Sequence, residues 1–261
     1  MTGNTSAAPR TIAVAGKGGT GKTTFCGMLV RWLADSKKGH ILAVDADPNS
    51  NLNEVLGAPA PITLGEIREN MQEKGGGETL PAGMTKHDYM EFMFGDALVE
   101  ESGYDLLVMG RTQGAGCYCY VNGVLRTQID RYSGSYSYIV VDNEAGLEHI
   151  SRGTLPGVDV LLLISDCSRR GIQAAGRLAQ MAHDMKLEPG VMKLIVNRAP
   201  EGGLSAGVLE EIAAQKLDLL GVLPQDETVF RYDSDGVPSS TVPDDAPVKQ
   251  ALKKIVAELE L

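Results

Sequence analysis

The sequence has no apolar run approaching the ~20 residues that a membrane-crossing helix needs, so no spanning segment and no membrane partner are expected. No basic region followed by an apolar stretch opens the chain, so no secretory leader is read. Met1 to Pro9 is small and polar, and residues 1–10 are expected to be a disordered tail. Together these absences give a cytoplasmic expectation. Basic charge is also scarce: 24 Lys and Arg face 34 Asp and Glu, a formal net charge of −10. That balance counts against a general polyanion-binding surface and so against a nucleic-acid partner. Only four cysteines occur. In a reducing compartment, reduced thiols or metal ligands are expected before disulfides. No internal repeat is evident.

What is present is enough chain for one sizeable core, at 261 residues. Apolar, β-branched runs alternate with helical patterns, which implies βαβ units and a mostly parallel sheet. Strands are expected at 11–16, 40–46, 105–110, 138–142, 158–164, 192–197 and 218–223. Helices are expected near 22–36, 85–101, 120–132, 168–187, 205–215 and 246–260. The segment 58–84 carries Pro59, Pro61, Pro81 and the triplet Gly75-Gly76-Gly77, and reads as a short helix (64–73) on a surface excursion. The expected fold class is α/β: a single domain over 11–261 with a mostly parallel central sheet flanked by helices. In the last helix Val248, Leu252, Ile255 and Leu259 share a face. That helix lacks aromatic residues and mixes Lys with Glu, so core packing is expected in place of membrane contact.

The stretch Gly16-Lys17-Gly18-Gly19-Thr20-Gly21-Lys22-Thr23-Thr24 matches G-x-x-x-x-G-K-[ST], between an apolar strand and a helix. Glycines without Cβ atoms let successive backbone N–H groups converge on phosphate oxygens. The helix N-terminus adds partial positive charge. Lys22 is placed to reach the β- and γ-phosphates, and Thr23 to offer its hydroxyl to Mg²⁺. The domain therefore reads as a P-loop NTPase. Val44-Asp45-Ala46-Asp47-Pro48-Asn49 follows the second strand, and Tyr138-Ile139-Val140-Val141-Asp142 ends another in an acid. Carboxylates at the C-terminal ends of parallel strands sit where such sheets place their ligands. Beside Mg²⁺ and phosphates they can support the ion or orient an attacking water. Leu194-Ile195-Val196-Asn197-Arg198 ends in an amide that offers a donor and an acceptor to a base edge. No acid follows in the N-K-x-D spacing that reads guanine, because Ala199 and Pro200 stand there, so adenine is favoured.

Lys17 gives the K-G-G-x-G-K-[ST] pattern, and with it the chain resembles the deviant Walker A ATPases that include MinD, ParA, the nitrogenase iron protein and the arsenite-pump ATPase. The likeness runs from Thr11 to about Leu223. It implies that Lys17 crosses a homodimer interface to the partner's phosphates. It implies that Asp47 orients or activates the hydrolytic water, that Asp45 supports the Mg²⁺ shell, and that Asp142 is the Walker B carboxylate. Asn143-Glu144-Ala145-Gly146 resembles the second switch, where Gly146 would let the backbone flip between nucleotide states. Asn197 and Arg198, with backbone around Gly221-Val222-Leu223-Pro224, correspond to the adenine-binding positions.

Cys117-Tyr118-Cys119 follows the glycine-rich segment Gly110–Gly116 and precedes a helical run with Val121, Leu125, Ile129 and Tyr132. In an extended segment, side chains i and i+2 point the same way, so two sulfurs can approach one ion. A thiol near a helix N-terminus ionises more easily. A closed tetrahedral site takes four ligands, and a twofold axis would supply the second pair. Such a set suits Zn²⁺, Ni²⁺, Cu⁺ or an iron–sulfur cluster. Cys26 and Cys167 read as core thiols. The G-x-G-C-Y-C run, the D-x-x-A-G-[IL]-E-H switch with Glu148-His149, and the deviant Walker A together resemble the CO dehydrogenase and acetyl-CoA synthase maturation ATPases. The resemblance implies ATP-driven dimerisation, Ni²⁺ held by Cys117 and Cys119 with Zn²⁺ as an alternative, and one of those two enzymes as client. It leaves His149 as an additional ligand or an interface residue. No His-rich nickel-storage tract is present.

Two other readings stay open. A positioning ATPase of the MinD/ParA type would leave the cysteine pair unused. An iron–sulfur ATPase would use it, although the C-x-x-C of cluster carriers near the C-terminus is absent. The partner-lysine reading is tested by Lys17→Ala, expected to lower turnover while leaving ATP binding largely intact. Equal turnover in wild type and variant would remove it.

Overall fold

The computed structural model describes residues 8–49, 51–60, 62–74, 83–111, 119–144, 146–147 and 157–261. In chain order the elements are β1 (Arg10–Gly16), α1 (Lys22–Asp35), β2 (Ile41–Asp45), α2 (Leu52–Leu56), α3 (Leu64–Lys74), α4 (Lys86–Ala97), β3 (Val99–Glu101) and β4 (Tyr104–Val108). They continue with α5 (Cys119–Tyr132), β5 (Tyr138–Asp142), β6 (Val160–Asp166), α6 (Arg169–Asp184), β7 (Val191–Ala199), α7 (Ala206–Ala214), β8 (Leu219–Pro224), α8 (Glu227–Ser234) and α9 (Pro247–Glu258). Among the described residues, eight strands form one sheet in the order β3-β4-β2-β5-β1-β6-β7-β8. Only the β3–β4 pair is antiparallel.

Strands buried on both faces explain the unbroken apolar runs, because helices cover each side of a parallel sheet. Alternation along each strand then divides the core in two. Ala13, Ala15, Val141 and Leu163 join one apolar cluster with α6 and α7, through Ile172, Ala175, Val208 and Ile212. Ile12, Val14, Val140 and Leu162 join the other with α1 and α9, through Phe25, Leu29, Leu252 and Ile255. The shared face of α9 is fully engaged: Val248, Leu252, Ile255 and Leu259 are all buried. At its tightest approach, a Cβ on Gly221 of β8 would collide with the Ile255 side chain. Core packing, as expected, is the use of this helix.

Three expectations are corrected. The helix expected over 85–101 stops at Ala97, and 99–101 forms the antiparallel edge strand β3. The cause is local: Leu98 is extended (ψ 117°), and Gly103, at φ 91°, turns the chain straight back into β4. Such a conformation favours glycine. Helix α8 was not expected at all. Its N-cap is Asp226, whose carboxylate accepts from the Thr228 N–H at 2.9 Å. It is only eight residues long and has no fully buried residue, so it offers no sustained apolar run to read. Finally, β1 opens one residue early: the Arg10 N–H donates to the Ser137 carbonyl and its guanidinium to the Glu260 carbonyl. The rest of the expected tail, residues 1–7, lies outside the described residues, as does 75–82 of the surface excursion.

The order of strands fixes where a site can be. From β1 the chain builds outward to β2 and on to the β3 edge, turns back through β4 to β5, then crosses β1 to add β6, β7 and β8. Strand order reverses beside β1, and ligands of open α/β sheets bind at the carboxyl ends next to such a reversal. The C-terminal ends of β1, β2, β5 and β7 carry Gly16, Asp45, Asp142 and Asn197. Among the described residues no helix is long and apolar enough to cross a membrane.

Candidate active site

The loop after β1 is shaped by close approaches. A Cβ on Gly16 would overlap the Ile164 carbonyl of β6, so β1 and β6 can only meet here through a glycine. Gly21 caps α1 in the left-handed region at φ 91°, and a side chain there would strike the Asn197 amide. Between them the Thr20 hydroxyl donates to the Lys17 carbonyl at 2.8 Å. Asn197 Nδ2 donates to the Thr20 carbonyl at 2.8 Å, and the Arg198 guanidinium to the Gly19 carbonyl at 3.1 Å. These carbonyls are held toward β7, and the Thr20 N–H donates to the Lys17 carbonyl at 3.4 Å, so the other loop N–H groups can face an anion beside the positive end of α1. Lys22 is buried at 6% exposure, whereas Lys17, Gly18 and Gly19 are exposed. Lys17 is therefore open to solvent, unlike Lys22.

Asn197 therefore has a second job. Its Oδ1 accepts from the Arg198 N–H at 2.9 Å, and one Nδ2 hydrogen goes to Thr20. One amide hydrogen remains for a base. Arg198 adopts φ 57°, which a residue with a Cβ rarely does. Its carbonyl accepts from the Cys167 thiol at 3.4 Å. Cys167, expected as a core thiol, packs against the apolar cluster but is only partly buried. It stands just past β6, beside the Ser168 cap of α6, and is partly exposed at the carboxyl edge of the sheet. Cys26 is fully buried, as expected, but not among apolar groups alone. Burial, then Asp142, pushes its thiol pKa well up.

Asp45 and Asp142 are direct partners in the parallel β2–β5 register, at 0% and 1% exposure. Asp45 is well hydrogen-bonded: Oδ1 accepts from the Asp47 N–H and Oδ2 from the Leu52 N–H, both at 3.0 Å. Asp142 is not. Neither of its oxygens has a hydrogen-bond partner, a costly arrangement for a buried carboxylate. The Thr23 hydroxyl, Lys22 and Cys26 lie close enough to offset part of that cost, without reaching hydrogen-bond geometry. Burial is the largest cause pushing both carboxyls up, Asp45 to about 7 and Asp142 to about 6. Asp142 also raises Asp45 through like-charge repulsion. Two such acids titrate as a unit. An unpartnered, buried carboxylate facing a second acid, with a hydroxyl and a lysine beside it, fits an oxygen-ligated divalent cation such as Mg²⁺.

Next to Asp45, Asp47 Oδ1 accepts from the Asn49 N–H at 2.8 Å, closing an Asx turn at the helix-side mouth of the site. From β5 onward, Asn143 donates to the Val14 carbonyl at 3.0 Å, and Gly146 donates to the Glu144 carbonyl at 2.6 Å. Ala145 and Glu148-His149 lie outside the described residues. So does Cys117. Cys119 is the first residue of α5, and its side chain is likewise outside them. Among the described residues no cluster of three or more His, Cys, Asp or Glu could hold a metal.

A cleft of about 370 Å³ opens beside the loop. Gly21, Thr24, Asn197, Arg198 and Pro224 line it, all expected from the sequence. Phe25, Met28, Val229 and Phe230 were not expected, and they supply its apolar wall. Phe230 is 69% exposed on α8. The Asp226-Glu227-Thr228 cap ahead of Val229 and Tyr232 was the available signal for this wall. An apolar slot with a free amide hydrogen suits a purine.

Residues 11–239 match the family model for the CobQ/CobB/MinD/ParA nucleotide-binding domain. The chain belongs to this family of P-loop ATPases. It is 40% identical over 260 residues to an uncharacterised ATP-binding protein of Methanocaldococcus jannaschii, covering 95% of this chain and 97% of that one. It is 32% identical over 238 residues to the carbon monoxide dehydrogenase accessory protein CooC of Rhodospirillum rubrum, covering 87% and 88% respectively. Its fold matches MinD of Pyrococcus horikoshii complexed with Mg-ADP at a TM-score of 0.69 and 20% identity, over 97% of this chain and 96% of that one. Membership of the family makes this a nucleotide-binding domain.

The carboxylate pair makes stability depend on pH. The unfolded chain releases these protons near 3.8, whereas the fold keeps them to about 6 and 7. Between those values the folded protein binds more protons than the unfolded chain, so stability falls as pH rises. In nucleotide-free protein, Asp142→Asn is expected to raise the urea midpoint at about pH 8, with the gain shrinking toward about pH 5. It should also remove the Mg²⁺ dependence of ATP affinity. A variant less stable than wild type at the higher pH would contradict the assignment.

Proposed function

We propose that the protein is an ATP-hydrolysing metallochaperone, which closes into a homodimer with ATP and carries Ni²⁺ between Cys117 and Cys119 of its two subunits. Its client is carbon monoxide dehydrogenase or acetyl-CoA synthase. The observation that carries this reading is the likeness to CooC over 87% of the chain, in a sequence whose Cys-Tyr-Cys run leads into α5.

In the nucleotide half, the loop N–H groups and Lys22 bind the phosphates, and Lys17 reaches across to the partner's phosphates. Thr23, Asp142 and Asp45 would hold Mg²⁺, which spreads the charge of the β- and γ-phosphates during transfer. Asp47 orients the water for in-line attack on the γ-phosphorus. Asn197, Arg198 and the backbone at Pro224 hold adenine. Burial of Asp45 and Asp142 keeps bulk water from competing for these groups, which strengthens each electrostatic contact.

In the metal half, two thiolates from each subunit complete a four-ligand set around the cargo. Closure with ATP changes the geometry of those four sulfurs, and hydrolysis reopens the dimer so that the ion passes on. Zn²⁺ competes for the same thiolates, because soft sulfur ligands accept it readily. A positioning ATPase is the other reading of the same fold. It is disfavoured by α9, whose apolar face is spent on the core and so is not offered to a membrane.

Anaerobic equilibrium binding of Ni²⁺, with and without ATP, separates these readings. The expected result is one ion per two chains, altered by ATP and lost in Cys117→Ser/Cys119→Ser. Binding untouched by the double substitution would leave an ATP-dependent protein whose cysteines are incidental, and would bring the positioning reading forward.

A further inference from the structure

Helix α4 is well made at its start and on its inner side, and poorly made on its outer one. The Thr85 hydroxyl accepts from the Asp88 N–H at 3.1 Å, and the Asp88 carboxylate accepts from the Thr85 N–H at 3.0 Å. Phe94 and Ala97 anchor the helix in the core. Phe92, by contrast, is 59% exposed. Gly95 sits inside the helix, where glycine is a poor former, yet a Cβ there would meet nothing within 4 Å. No close approach calls for it. Asp96 lies exposed in the last turn, where a negative charge opposes the helix dipole. Gly95 and Asp96 follow Phe92 by three and four positions, so all three share one face. Met84, just ahead of the Thr85 cap, adds a second exposed apolar side chain.

We propose that this outer face of α4 is a docking surface for a partner protein that presents arginine beside an apolar side chain. A guanidinium can stack on an aromatic ring and bond a carboxylate at the same time. Phe92 supplies the ring and Asp96 the carboxylate, and Gly95 leaves open the room that a larger side chain would fill. Charge selects the class of partner. The stretch 62–104, which holds α3, α4 and β3, carries nine acidic residues against three basic ones, most of the chain's excess negative charge. Asp88, Asp96, Glu100 and Glu101 are exposed. Such a face draws a basic surface and repels an anionic one. A second copy of the chain is a poor occupant, because a twofold axis through this face would set its acids against themselves. Residues that cost a helix stability and gather on one exposed face are expected where function selects them. Naming the partner as the metal-receiving client rests on the proposed function; the surface itself does not.

The test uses the full chain and two kinds of probe. One is a short peptide alternating leucine and arginine, with its leucine–glutamate counterpart as control. The other is metal-free carbon monoxide dehydrogenase or acetyl-CoA synthase. Peptide binding is read from the Met84 methyl resonance, and enzyme binding by interferometry. The arginine peptide is expected to bind, more weakly as salt rises from about 50 to about 500 mM, and the glutamate peptide not to bind. Phe92→Ala and Gly95→Ala should each weaken it about fivefold or more, and Asp96→Lys about tenfold. ATP turnover should not change in any of the three. Gly95→Ala and Asp96→Lys should also raise the urea midpoint, so that lost binding is not lost folding. Arginine-peptide binding indifferent to all three substitutions would overturn the proposal, as would equal binding of the glutamate peptide. Loss of ATP-driven dimerisation in these variants, by sedimentation velocity, would also overturn it, because a second copy would then cover the face. Peptide binding without binding of either enzyme would cost the metallochaperone reading its client and leave the surface standing.

Discussion

Two carboxylates that cannot both be comfortable govern this structure. Asp45 and Asp142 face each other across β2 and β5 with no solvent between the strands to screen them. One is tied down by two backbone N–H groups, the other by none. A fold dominated by apolar strands accepts such a pair only where something else supplies positive charge. Lys22 supplies part of it, and a divalent cation with its phosphates would supply the rest. The glycines at 16 and 21, the braces from Asn197 and Arg198, and the cap on α1 all serve to bring those phosphates to one place.

The same pair is tied to the loops around it. Asp45 accepts through its side chain from the Asp47 N–H and through its main chain from the Met109 N–H. Strand ends in a parallel sheet are stiff, so a shift is not absorbed locally and passes into the adjoining loops. The loops after β2 and β4 meet at the Asn49–Arg111 bond, on the side of the sheet that leads to α5. On the other side, the ends of β7 and β8 line the cleft together with α1 and α8.

Much of this was legible in the sequence. Continuous β-branched runs between amphipathic stretches announced a parallel sheet, because burial on both faces leaves no alternation to blur the signal. Gly16 to Thr24, Asp45, Asp142 and Asn197 were visible because each stands at an abrupt change from apolar to polar at a strand end. What escaped notice lacked such contrast. The edge strand β3 pairs on one side only and is three residues long, so its composition hardly differs from the helix before it. Helix α8 packs no residue fully into the core and is only eight residues long, although it walls the cleft beside the loop. Asn197's brace on Thr20 and the Arg111–Asn49 bond join residues 177 and 62 positions apart, which no local pattern encodes. Cys167 packs against the core only in part, because it stands just past the end of β6 at the carboxyl edge of the sheet.

The central claim is that the buried pair is a cation site whose proton must leave when Mg²⁺ and nucleotide arrive. The most direct measurement is the number of protons released on binding Mg²⁺·ADP near pH 6.5, read calorimetrically in buffers of different ionisation enthalpy. A net release of about one proton per subunit, absent in Asp142→Asn, is the predicted result. Binding that releases none in the wild-type protein would contradict the account.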